Sequence, residues 1–129
     1  MYAIDTDIVV RYLVVDEPKR HERATRRIEG GPVRVSLAVF LETEWAPRSI
    51  YRRDDATILA LLRKFSRLPT IVVPQSEVLA NTLDWAEDGM EFADALHLAA
   101  AADIEGMLSF DRDLAKRAAK LGAPRVEAP

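Results

Sequence analysis

Short β-like runs alternate with longer helical patterns along this sequence, and that alternation limits the possible folds more than any other feature. Strand candidates fall at 2–4, 33–35, 70–73 and 107–110, with a further one at 125–127. Helical patterns fill the intervals at 8–15, 18–29, 37–51, 55–67, 76–87, 91–105 and 112–121. Gly30-Gly31-Pro32, Pro69, Pro74, Gly89, Gly106 and Gly122 stand where these elements should break. Strand and helix in turn imply crossover connections, hence an α/β fold with a short, mostly parallel sheet between two helical layers.

The chain has 129 residues, of which 49 % are hydrophobic, with seven prolines and five glycines, so a single globular domain over 1–129 is expected. It has no cysteine, which excludes a disulfide framework and a thiolate metal site. Any metal must therefore be held by oxygen or by the two histidines. No basic leader precedes an apolar block, and no apolar run approaches the roughly 20 residues of a membrane span. A soluble, unprocessed, cytoplasmic protein without membrane contact is the expectation.

Four apolar stretches each run into an acid: YAID at Asp5, SLAVFLETEW at Glu42, EFADALHLAAAA at Asp94 and MLSFD at Asp111. Such an acid is expected to be drawn toward the core side, where an unpaired carboxylate is costly. Four from distant segments suggest a shared cation. In open α/β sheets the ligand crevice lies beyond the carboxyl ends of the strands, where Asp5 and Asp111 stand. Glu42 lies early in a helix that starts at the same edge, and Asp94 shares an apolar stripe with Leu98 and Ala101.

Each acid also has a purely structural explanation. Asp5, Asp7 and Asp111 suit helix N-caps, Asp94 suits a first turn, and Glu42 is an edge residue beside a more exposed-looking Glu44. The chemistry that uses clustered carboxylates is metal-assisted hydrolysis. Mg²⁺ and Mn²⁺ take carboxylate and water oxygens, activate a water and neutralise a leaving oxygen, which suits a phosphodiester.

The net charge of −3 argues against a generally basic surface but conceals clusters at Lys19, Arg20, Arg23, Arg26 and Arg27, and at Arg48, Arg52 and Arg53. These are solvated helix faces or contacts for a phosphate-bearing partner.

AIDTDIVVRYLVVDEP, VSLAVFLETEWAPRSIY, EFADALHLAAAA and LSFDRDLAK resemble, in order and spacing, the successive motifs of PIN-domain proteins, specifically VapC-type toxins of bacterial toxin–antitoxin pairs. The resemblance implies a three-layer α/β/α PIN-like fold and an endoribonuclease dependent on Mg²⁺ or Mn²⁺. It matches Asp5, Glu42, Asp94 and Asp111 to the family's acidic quartet, with Asp113 a secondary candidate. It further implies an RNA substrate, a homodimer and a VapB-like antitoxin whose arm occupies the acidic groove.

Three positions depart from the family's pattern. Asp7 stands where Asn or Ser is usual, Ser109 where Thr is usual, and Pro47 where an apolar residue is usual. Neither Asp7 nor Ser109 removes a ligand, and Pro47 should kink or end its helix just past Trp45. His97 is expected to pack beside the site, His21 to be exposed, and Trp45 and Trp85 to be packing anchors.

Two other readings stay open. Asp5-Thr6-Asp7 after an apolar strand also fits haloacid-dehalogenase-like phosphatases, with Asp5 as nucleophile, although no convincing matching lysine is evident. A non-catalytic module that only binds RNA or an antitoxin is the second.

Overall fold

The computed structural model describes residues 1–46 and 53–129, with 47–51 given only as the continuation of a helix. The chain divides into two compact units, Met1–Pro74 and Gln75–Pro129.

The first unit holds β1 (Tyr2–Ala3), α1 (Thr6–Leu13), α2 (Pro18–Glu29), β2 (Val33–Arg34), α3 (Leu37–Tyr51), α4 (Asp55–Ser66) and β3 (Ile71–Val72). Its strands form a parallel sheet in the order β1-β2-β3, with Tyr2 opposite Val33 and Val33 opposite Ile71. Backbone bonds from Ile4 N–H to the Arg34 carbonyl (3.1 Å) and from Val35 N–H to the Val72 carbonyl (2.9 Å) carry the pairing past the two-residue strands. That extension accounts for the longer apolar runs of the sequence. The core gathers Val9, Ile28, Val33, Val35, Phe40, Ile58, Leu62 and Phe65, all almost fully buried. Phe65 anchors it with ring centroids 6.0 Å from Phe40 and 5.7 Å from Tyr12, a separation typical of packed aromatic pairs.

Local chemistry sets the helix starts. Pro18 opens α2 at a position where its missing N–H costs nothing. Ser36 Oγ accepts the Val39 N–H at 3.3 Å at the start of α3, and Asp54 accepts the Thr57 N–H at 2.7 Å at the start of α4. Helix α1 begins at Thr6 rather than at residue 8, because Asp5 caps it. The bend expected at Pro47 lies outside the described residues.

The second unit holds α5 (Ser76–Glu87), α6 (Phe92–Ala100), β4 (Met107–Leu108), α7 (Arg112–Leu121) and β5 (Val126–Glu127). Strands β4 and β5 pair in parallel, with Met107 opposite Val126. Gly106 makes that approach possible: at φ 155° its missing side chain leaves room for the Arg125 carbonyl. Helices α5 and α6 pack together, and Leu79, Leu83, Phe92, Ala95 and Leu98 are buried. Helix α6 ends at Ala100 rather than at residue 105. Ala101, Ala102 and Ile104 each bond back to the carbonyl three residues earlier, tightening the chain into turns. Among the described residues no helix is long and apolar enough to cross a membrane.

Candidate active site

In the first unit, Asp5 follows β1 and caps α1, its Oδ1 accepting the Ile8 N–H at 3.1 Å. Glu42 lies on α3, which packs against α1. Both carboxylates are exposed. In the second unit, Asp94 occupies the first turn of α6 and is half-buried, with the fully buried Leu98 one turn on. Asp111 follows β4 and caps α7. Its Oδ1 accepts the N–H groups of Asp113 and Leu114, both at 3.0 Å, and its own N–H donates to Ser109 Oγ at 3.0 Å. Ser109 therefore braces the Asp111 backbone. Asp113 is exposed in the first turn of α7.

These positions correct the expectation that the acids are drawn to the core side. Asp5 and Asp111 stay in water because a strand-to-helix junction supplies their backbone partners at the surface, Glu42 lies on the exposed side of α3, and Asp94 alone is half-buried. Glu42 and Glu44 are also reversed from expectation. Glu44 is 7 % exposed because, with Phe40 and Thr43, it falls on the inner face of α3 at helical spacing. Trp45 is the exposed residue, at 66 %, and does not anchor packing, whereas Trp85 is half-buried.

Neither histidine behaves as expected. His97 is exposed and not packed, its α6 neighbours Leu98 and Ala99 taking the buried face. His21 is half-buried, its Nδ1 2.9 Å from the Arg11 carbonyl and its ring near Tyr12. Arg11 itself is absent from the basic clusters read in the sequence. It is half-buried, its Nε 3.4 Å from Asp7 Oδ1 and its Nη1 3.1 Å from Asp16 Oδ2. Its spacing of four residues from Asp7 on a helix is the signal that marks it.

Each unit thus carries two of the four acids. Within neither unit do the described residues gather three or more His, Asp or Glu into a group able to hold a metal ion. The donor chemistry nonetheless fits a hard cation. All four groups are carboxylates, and at Asp5 and Asp111 the cap bonds engage Oδ1 and leave Oδ2 for a further ligand.

Comparison with known proteins gives the following. A search of the solved structures finds a crystal structure of Mycobacterium tuberculosis VapC20, a Sarcin-Ricin loop cleaving toxin. It is 18 % identical over 90 % of this chain and 94 % of that chain, with a TM-score of 0.45. No curated protein is matched. The family model for the PIN domain matches residues 2–120, so it spans all four acids and sets aside the phosphatase reading of Asp5. With its parallel strands, its intervening helices and that match, the chain belongs to the PIN-domain family.

Proposed function

We propose that the chain is a divalent-metal-dependent endoribonuclease, the toxin of a VapBC-type pair, that hydrolyses RNA phosphodiester bonds as one PIN-like domain over 1–129. Family membership over residues 2–120 supports a nuclease, and the order of the four acid-bearing motifs supports the VapC type. The observation that carries the reading is the matched placement of Asp5 and Asp111. Each follows a parallel strand, caps the next helix through Oδ1, and presents an exposed carboxylate.

Asp5, Glu42, Asp94 and Asp111 would hold Mg²⁺ or Mn²⁺, with Asp113 a further oxygen donor beside Asp111. When bound, such an ion lowers the pKa of an attacking water and neutralises charge on the leaving oxygen. The residues themselves supply orientation. The caps at α1 and α7 fix the Asp5 and Asp111 side chains before any ligand arrives, and Ser109 fixes the loop that carries Asp111. No histidine base is required, in keeping with the exposed, unpacked His97. A homodimer, a cytoplasmic location and inhibition by a VapB-like antitoxin that covers the acids complete the proposal.

The test is to sequence RNA 5′ ends after induction of the full chain and of Asp94→Asn. The expected result is a set of new ends in the parent that is missing from the variant. Identical ends in both would contradict the role of the acids, and no new ends in the parent would favour the non-catalytic binding module.

A further inference from the structure

A groove of about 610 Å³ runs between α1 and α2 in the first unit, and arginine dominates its lining: Arg11, Arg20, Arg23, Arg26 and Arg27. One acid, Asp7, joins them, and it is already paired with Arg11 at 3.4 Å. The aliphatic floor includes Ile8, whose N–H is the one that Asp5 accepts, so the groove begins within one helical turn of a proposed catalytic acid. Arg20, Arg23 and Arg27 recur at helical spacing and therefore share one face of α2. Arg26 and Arg27 also line a second depression of about 340 Å³ that reaches Tyr2, where the Arg27 guanidinium lies 4.7 Å from the ring centre.

The competing ion pairs are weak. Arg20 meets Glu17 at 3.3 Å and Arg26 meets Glu22 at 2.6 Å, with all four side chains about half exposed or more, where such pairs are screened and contribute little. Arg23 makes no hydrogen bond or ion pair with the described residues. A protein of net charge −3 that concentrates arginine along one groove has built a local site for a polyanion. Guanidinium groups bind phosphate oxygens in pairs, which lysine cannot do.

We infer that the α1/α2 groove is the track for the sugar–phosphate backbone of the RNA strand, leading it to Asp5. The choice of RNA rests on the ribonuclease reading. If the bond to be cut lies at Asp5, phosphates flanking it come within reach of this groove, which begins one turn along α1. Tyr2, 68 % exposed, then offers an unpaired base a stacking face at the far end.

The experiment has a binding arm and a kinetic arm, both on the full chain. Binding of a fluorescent single-stranded RNA 12-mer is measured against salt in the Asp94→Asn background, which leaves the probe intact. Arg23→Ala should weaken binding several-fold and lower the log–log salt slope by about 0.7, and Arg23→Ala with Arg27→Ala by about twice that. Arg23→Lys should restore the slope, because the charge returns. In the active chain the alanine variants should raise KM with kcat unchanged, the mark of lost ground-state binding. An unchanged slope overturns the inference, as does loss of binding to a poly-glutamate peptide with RNA binding intact, which would make the groove a seat for an acidic protein arm. A parent that cuts RNA with groove variants indistinguishable from it refutes the groove alone. A parent that binds through the groove but cuts nothing in Mn²⁺ refutes the ribonuclease reading and upholds the groove.

Discussion

Asp5 accepts the backbone N–H of Ile8 through Oδ1 at 3.1 Å, so one side chain starts helix α1 and also presents a carboxylate beside the strand that precedes it. Structure and chemistry make different demands on that residue, and substitution can separate them. Asn caps a helix about as well as Asp, whereas Ala forfeits roughly 1 kcal/mol. Asp5→Asn should therefore unfold in urea like the parent while losing RNA cleavage, and Asp5→Ala should lose both. Equal destabilisation by the two variants would show that charge at Asp5, rather than capping, supports the fold.

Thr43 carries a second prediction. Its side chain is fully buried in α3, and its Oγ1 has no hydrogen-bond partner among the described residues. A buried hydroxyl without a partner costs roughly 1–3 kcal/mol, and valine has nearly the same shape without it. Thr43→Val should raise stability by about 1 kcal/mol in urea denaturation. A loss of comparable size would mean that the hydroxyl has a partner.

Asp54 carries the pH dependence. The Thr57 N–H it accepts at the start of α4, above all, holds its carboxyl below the ordinary value of 3.8. The unfolded state then binds the proton first, so the cap's contribution is fully present above the unfolded pKa and fades as pH falls through the folded one. Asp54→Asn keeps a cap that does not titrate. Below about pH 4 its melting temperature should fall less steeply with acid than the parent's. Parallel acid limbs would show that other carboxylates dominate the loss.

The sequence was most legible where one residue type does one job. Helices 18–29, 37–51, 76–87 and 112–121 carry the predicted bounds, because Pro18, Ser36 and Asp111 mark starts and Gly30 and Gly122 mark stops. The ends of α6 were not legible. An alanine-rich run has the same helical propensity at Ala100 as at Ala102, so the break there comes from tertiary context. The candidate acids were visible as types, but their exposure was not. Glu42 and Glu44 differ by two positions on one helix, and α3 packing decides which of them is buried. The arginine groove is not legible along the chain, because it joins Arg11 of α1 to residues of α2, a separate helix.

The central claim is that these acids act through a shared divalent ion, and cleavage of single-stranded RNA by the purified full chain tests it most directly. The assay compares the parent in millimolar Mn²⁺, the parent in excess EDTA, and Asp94→Asn in Mn²⁺. Cleavage in the first, none in the second, and a loss of at least about a hundredfold in the third is the predicted result. Undiminished cleavage in EDTA, or full activity of Asp94→Asn, would contradict it.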